Sequence, residues 1–456
     1  MTTVTGQAGV DGARVAELLA QETEAFEAAN PTSKVLNERA CRRMVRGVPL
    51  HWMAQWPTPF PLYFGSAQGA HLVDVDLHEY ADFCLGDTGA MFGHANPATV
   101  RAIGEQVARG STALLPTEDA AWVGEELARR FGLPFWQMAT SATDANRFAI
   151  RLARAITGRP KVLFHDHNYH GSVDESFAWL EDGRVVARRG NIGPPVDPAI
   201  TTRIVPFNDL AALERELAAG DVAVAVMEPA LTNVGIVLPE PGYLDGVRRL
   251  TRAAGTLLLI DETHTLCAGP GGATGVWGLE PDLLVVGKSI GGGIPCGTYG
   301  LSQAVADRVA AAVDVEDSDV GGIGGTLAGY ALSMTAMRAT LDAVLTPAAF
   351  ERMIPLAERW QAGVVGILAR HRIPWNVTRL GARAEYHFLP QPARDGAEQW
   401  AHSDPELERF LHLWAMNRGV LMTPFHNMAL MCPATTADDV DRHGEVFEAA
   451  VVALFG

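Results

Sequence analysis

The chain has 456 residues, of which 48% are hydrophobic and 20% charged, the balance of an ordinary folded protein with a sizeable core and not of a disordered one. The formal net charge of −17 argues against nucleic acid and anionic membrane as partners, because both need a positive face. A local basic pocket for a small anion stays open.

In chain order, residues 13–29 have helical periodicity that Asn30-Pro31 ends, and residues 46–65 are rich in proline and aromatics. Residues 70–83 alternate apolar and polar like a two-stranded meander. From about 115 the rhythm becomes strand then helix, with helices near 117–131, 144–157, 208–218, 243–254 and 303–312. Between them stand the short apolar runs WQMAT, KVLFH, AVAVME, TLLLIDE, DLLVVGK and GTYGLS. Such runs read as strands of a parallel sheet covered by helices. A helix at 330–345 follows, and residues 373–456 return to an α+β pattern. The expected organisation is an N-terminal segment 1–85 contributing to a small domain, a large domain 86–330 and a C-terminal part of the small domain 331–456.

The opening MTTVTGQAGVDG has neither the cationic start nor the apolar stretch of a signal peptide, and no apolar run is long enough to span a bilayer. Cys41, Cys84, Cys267, Cys296 and Cys432 include no Cys-x-x-Cys pair and read as reduced thiols, which points to a cytoplasmic protein.

Of 36 lysines and arginines, only Lys34, Lys161 and Lys288 are lysine. An amine can lose its proton and attack a carbonyl, whereas a guanidinium cannot, so three positions make a short list of nucleophiles. Lys34 and Lys161 read as surface. Three successive strands end in ionisable residues: Glu228, then Asp261 and Glu262, then Lys288. Ligands of open parallel sheets bind beyond the carboxyl ends of the strands, so Asp261 and Lys288 are expected on one edge. Glycines 287 and 291–293 around Lys288 allow tight turns and close approach to a ligand. A strand-end lysine suits a Schiff base with an aldehyde, and an aspartate suits a cationic ring nitrogen. Pyridoxal 5'-phosphate (PLP) needs both. Ser141 and Thr143 at the start of a strong helix offer a phosphate cradle, and Tyr169 offers a ring to lay on a planar cofactor.

The run IDETHTLCAGPGGATGVWGLEPDLLVVGKSIGGGIPCGTYG resembles the cofactor signature of the class III (subgroup II) aminotransferases, of PLP fold type I. The segments ATSATDANRFAIRLARAITGRPKVLFHDHNYHG, AVMEPALTNVGIVLP and GGTLAGYALSMTAMRATL extend the likeness over most of the chain, nearest the glutamate-1-semialdehyde aminomutase branch. The resemblance implies an α/β fold, with a large domain of mostly parallel mixed sheet covered by helices and a smaller α+β domain from both chain ends. It implies Lys288 as the lysine joined to PLP, Asp261 under the pyridine nitrogen, Tyr169 on the ring, and Ala142 and Thr143 at the phosphate. Ser141, Glu228 and Thr263 complete the expected cofactor contacts. Thr326 would reach the phosphate of the partner subunit, making a homodimer with shared active sites.

The chain departs from the family pattern at several points. Ala142 replaces a glycine, Asp144 a glutamate, Thr263 a valine that packs on the ring and Tyr330 an asparagine, and Cys267 stands near a family arginine. Where the aminomutases carry an arginine for the substrate carboxylate, this chain offers His51-Trp52-Met53. That loss sets the expected activity as an aminotransferase, passing an amino group from an amino acid or amine to a keto acid, with the aminomutase-type isomerase as the alternative. Trp52 and Arg383 are the substrate candidates, with Arg394 beside them; a surface ion pair of Arg383 with Glu385 is the plainer reading. His165, His167 and His170 are spaced like zinc ligands, but no cysteine or carboxylate set converges on them, so no metal is expected. His170 is expected to tune the neighbouring ring or cap a turn. Asp438, Asp439 and Asp441 read as the solvated start of the last helix. A nucleotide-dependent oxidoreductase lacks its fingerprint here, there being neither G-x-G-x-x-G after the first strand nor a P-loop.

Overall fold

The computed structural model describes residues 8–314 and 316–456, and most of the opening segment weighed above as a signal peptide lies outside them. The chain forms two compact units: Pro97–Pro347 with Ala393–Trp400, and Met1–Asn96 with Ala348–Pro392 and Ala401–Gly456.

The first unit is built on a seven-stranded sheet of β1 (Phe135–Ala139), β2 (Lys161–His165), β3 (Thr202–Val205), β4 (Val222–Met227), β5 (Leu257–Asp261), β6 (Leu283–Gly287) and β7 (Gly297–Leu301). The order is β3-β2-β4-β5-β6-β7-β1, and β7 alone runs antiparallel to its neighbours β6 and β1. Every residue of β4, β5 and β6 is buried, as β-branched and leucine-rich strands covered on both faces must be. The helix Ala142–Thr157 shows how one sequence sets both ends of an element. Ser141 Oγ accepts the Asp144 amide at 3.1 Å, and Gly158 closes the helix in the left-handed conformation, which costs glycine little. Its apolar face, with Ala145, Phe148, Ala149 and Leu152 buried, packs in the sheet core.

Two elements here escape the sequence expectations. β3 is a four-residue strand with a half-exposed arginine, too short to show a period. The hairpin Ala178–Glu181/Arg184–Ala187 turns on Asp182-Gly183, both at positive φ, a strong hairpin dipeptide.

In the second unit, the meander expected over 70–83 is three strands, Phe64–Gln68, His71–Asp74 and Glu79–Asp82, extended by Val420–Leu421 in parallel. A separate antiparallel sheet joins Asn376–Leu380, Arg383–His387 and Met428–Leu430. Pro31 ends one helix and opens the next, Pro31–Ala40, because proline at a first helical position gives up an amide that had no partner anyway. At the last helix, Thr436 and Asp439 form a reciprocal capping box and Asp441 pairs with Arg359 at 2.7 Å, so two of the three acids hold specific partners. Among the described residues, no helix is long and apolar enough to cross a membrane.

Candidate active site

The site lies in the first unit, beyond the carboxyl ends of β4, β5 and β6. Asp261 pairs with Val285 in the β5–β6 register, so the chain emerging from β5 runs beside the one leading to Lys288. Lys288 opens a short helical turn with φ +53°, unusual for a residue with a side chain. Gly287 before it has no room for a side chain: a Cβ there would lie 3.0 Å from that of Ala142. A Cβ at Gly297 would meet the Ser141 carbonyl at 2.3 Å. These two glycines let the loop before the helix Ala142–Thr157 close onto the ends of β6 and β7.

Asp261 is buried and densely held. Its Oδ2 accepts Asn146 Nδ2 at 2.8 Å and pairs with His170 Nδ1 at 3.0 Å, and its Oδ1 accepts the Thr263 amide at 3.1 Å. Burial alone would raise this carboxyl, but the hydrogen bond and charge of His170, helped by Thr263 and Asn146, hold it down at about 2. The carboxylate dictates the His170 tautomer, since Nδ1 must carry a proton to donate. His170 therefore positions Asp261, a correction to its expected role of tuning the neighbouring ring or capping a turn. The other acids serve the scaffold. Glu262 accepts the amides of Ala273 and Thr274 at 3.0 and 2.5 Å, and Glu228 accepts the amide of Thr232 at 3.1 Å and Asn233 Nδ2 at 3.0 Å. Burial raises both carboxyls.

The phosphate cradle is a set of backbone amides more than hydroxyls. Ser141 Oγ is engaged with Asp144, and Thr143 Oγ1 accepts the Ser172 amide at 3.2 Å. The first-turn amides of Ala142 and Thr143 remain as anion donors at the positive end of a sixteen-residue helix. Thr326 is exposed on a segment of the same unit.

The donor set fits PLP. An ionised, buried aspartate is the partner that a protonated pyridine nitrogen requires, and a lysine and an anion cradle lie at the same sheet edge. Three buried polar atoms around Asp261, namely Asn146 Oδ1, His170 Nε2 and Thr263 Oγ1, have no hydrogen-bond partner among the described residues. A polar ligand here would meet groups already stripped of water.

The other candidates fall elsewhere. His165 Nε2 bonds the Tyr243 hydroxyl at 2.7 Å within the core, and His167 stacks on Trp179 at 4.7 Å. Trp52 and Arg383 belong to the second unit. Trp52 is 37% exposed with its ring edge-on to Phe425. Arg383, expected as a carboxylate anchor or a surface ion pair, is neither: its side chain is fully buried and its Nη2 lies 3.3 Å from Glu385 Oε2. Arg394 is bound to Glu240 at 2.9 Å.

Three residues escaped the sequence reading. Asn146 lies one turn beyond Thr143 on the cap helix, a spacing that could have revealed it. His264 follows three residues after Asp261, and its Nε2 lies 2.5 Å from Lys288 Nζ. Arg188, just past the hairpin, lays its guanidinium over the Phe177 ring at 4.6 Å and interacts electrostatically with Tyr169. Arg188 is half-buried and makes no ion pair among the described residues.

Residues 52–451 match the family described as aminotransferase class-III. A glutamate-1-semialdehyde 2,1-aminomutase 2 of Exiguobacterium sibiricum is 34% identical over 90% of this chain and 94% of that protein. A crystal structure described as a glutamate-1-semialdehyde aminomutase from Pseudomonas aeruginosa PAO1 superposes with TM-score 0.96 at 50% identity, covering 98% of this chain and all of that one. A lysine-to-alanine variant of that protein, solved in complex with PMP, superposes equally well. These findings establish PLP as the cofactor and PLP fold type I as the fold. They overturn the expected transfer to a keto acid acceptor: these relatives are aminomutases, which are isomerases, so the alternative reading displaces the main one.

Proposed function

The chain belongs to the class-III aminotransferase family, and on that premise we propose that it shifts an amino group between neighbouring carbons of one small substrate, as a glutamate-1-semialdehyde 2,1-aminomutase does. The observation that carries this reading is the near-complete overlay on the Pseudomonas aeruginosa aminomutase at 50% identity.

The bound cofactor supplies an electron sink and the nitrogen that is exchanged. The protein's part follows from the site. The Asp261 carboxylate, held ionised by His170 and Asn146, would pair with the ring nitrogen and keep it protonated. The amides of Ala142 and Thr143 would hold the phosphate, Tyr169 would cover the ring, and Thr263 would border it, with Glu228 bracing the scaffold behind through Thr232 and Asn233. Lys288 Nζ takes a proton from a substrate carbon and returns it to another position, a general acid–base role. Keeping the substrate within the site between two such transfers removes any need for a separate acceptor.

The missing arginine near Trp52 has a replacement in this reading. Arg188 is a half-buried guanidinium with no carboxylate partner among the described residues, and it interacts with Tyr169, so it offers a fork for a substrate carboxylate. The homodimer, with Thr326 reaching the partner's phosphate, and a cytoplasmic location with five free cysteines belong to the same proposal.

The test is direct. Purified protein loaded with cofactor is incubated with glutamate-1-semialdehyde and no keto acid, and 5-aminolevulinate is measured. Steady formation of product is expected; no 5-aminolevulinate without an acceptor, with alanine or glutamate appearing once pyruvate or 2-oxoglutarate is added, overturns the reading.

A further inference from the structure

We propose that Phe177 is a positioning residue that sets specificity for carboxylate substrates by stacking on Arg188 and turning the edge of its guanidinium toward the anion. The inference rests on Arg188 as the anchor proposed above and is independent of the reaction that the bound substrate undergoes.

The pairing begins in the backbone. The Arg188 amide donates to the Phe177 carbonyl at 2.9 Å, one step outside the last hairpin pair, Ala178 with Ala187. The Asn191 amide in turn donates to the Arg188 carbonyl at 2.9 Å, so the backbone of Arg188 is held from both sides. The hairpin is itself anchored. Leu180 and Val185, paired across it, pack on the core of the first unit, and the Leu180 amide donates to Asp166 Oδ1 at 3.1 Å. Trp179, between them, stacks on His167. A side chain at position 188 therefore starts from a fixed point.

The side-chain contact follows. The guanidinium carbon of Arg188 lies 4.6 Å from the centroid of the Phe177 ring, within the range of cation–π attraction. Burial pulls the guanidinium below its ordinary pKa, the mark of a charge partly stripped of water. A guanidinium is planar and its N–H groups lie in that plane. A ring on its face covers none of them, and a carboxylate takes two of them at once along an edge. Two acids around the hairpin are already committed: Glu175 to Arg154 at 2.5 Å, and Asp166 to the amides of Leu180 and His167.

The consequence is preorganisation. A long arginine side chain loses rotamer freedom when an anion immobilises it, and Phe177 imposes that loss before the anion arrives. Removing the ring weakens carboxylate binding and leaves the chemical step alone, because the carboxylate is the same group in substrate and transition state.

Glutarate is titrated into the cofactor-loaded full chain by calorimetry, in wild type, Phe177→Leu, Phe177→Tyr, Arg188→Ala and the double variant Phe177→Leu/Arg188→Ala. Leucine keeps apolar bulk and removes the π face; tyrosine keeps both. The proposal expects Phe177→Leu to bind glutarate about fivefold more weakly or worse, Phe177→Tyr to stay within about twofold of wild type, and leucine to add nothing once Arg188 is gone. Where 5-aminolevulinate forms, KM should rise by a similar factor with kcat little changed. Unchanged binding in Phe177→Leu while Arg188→Ala loses glutarate overturns this inference and leaves the anchor standing. So does a leucine effect that persists without Arg188, or a failure of tyrosine to rescue, since Phe177 is then only a support for the fold. Glutarate that does not bind wild type, or binds Arg188→Ala equally well, removes the anchor and this inference with it. Should leucine disturb the fold, read by circular dichroism, Phe177→Met takes its place in the series. Because the readout is binding, none of these failures bears on the amino shift, which the 5-aminolevulinate assay decides.

Discussion

The two units each bury a carboxylate that is held far below its ordinary range, yet they use it differently. In the second unit Glu385 sits on a strand of a three-stranded antiparallel sheet with Arg383 at 3.3 Å and His426 at 3.5 Å. Burial would raise Glu385, but the hydrogen bond and charge of His426, then Arg383 and His387, hold it at about 2. In the first unit Asp261 reaches the same value from His170, Asn146 and Thr263. The difference is placement. Asp261 ends a parallel strand, beside a lysine in a left-handed turn, with three buried polar atoms nearby that lack hydrogen-bond partners among the described residues. Glu385 lies inside a ladder, paired with Thr378 on one side and Met428 on the other. A displaced acidity marks a tightly held charge, and only an address at the open edge of the sheet makes it chemistry.

The comparison breaks most sharply at Lys288. Lys288→Ala is expected to lower formation of 5-aminolevulinate by at least ~10³-fold while the fold, read by circular dichroism, is kept. Next, Asp261→Asn is expected to cut turnover by ~10²-fold or more with little change in melting temperature. Glu385→Ala should do the reverse: near-native turnover, and a loss of about 3–5 kcal/mol in denaturant unfolding because Arg383 is left buried without its acid. If Glu385→Ala abolishes turnover at intact stability, the contrast between the two acids fails. Arg188→Ala is expected to raise KM for a carboxylate substrate about tenfold or more with kcat little changed, since it removes binding common to ground and transition states. The smallest effect is on acid stability. Glu385 is ionised in the folded protein down to about 2, against 4.5 for a free glutamate, so it stabilises the fold fully above 4.5. That contribution is lost as the pH falls from 4.5 to about 2, and Glu385→Gln should flatten the stability curve of the second unit over that window.

Much of this was legible in the sequence where one signal dominates. The buried strands β4, β5 and β6 show as unbroken apolar runs, and the scarcity of lysine isolates position 288. Asp261 follows from its place at the end of β5. What stayed hidden depends on geometry that sequence distance does not carry. Asn146 reaches Asp261 across 115 residues and His170 across 91, so neither partnership with the acid is written locally, although Asn146 shares a helix face with Thr143. Arg383 alternates along its strand like a surface residue, but it lies in a sheet whose strand Arg383–His387 is buried throughout, which no single-strand pattern could reveal. The substrate reading erred for a related reason: the absence of an arginine near residue 52 was weighed as a missing function, whereas in the proposed reading Arg188, 136 residues further along the chain, serves the same anion.

The left-handed backbone at Lys288 carries a cost that the scaffold must bear for as long as the residue is lysine. A side chain in that conformation forfeits roughly 1 kcal/mol, which glycine would recover. An enzyme with glycine at 288 should therefore melt no lower than its parent while being inert, so that natural drift toward robustness at this spot runs directly against activity.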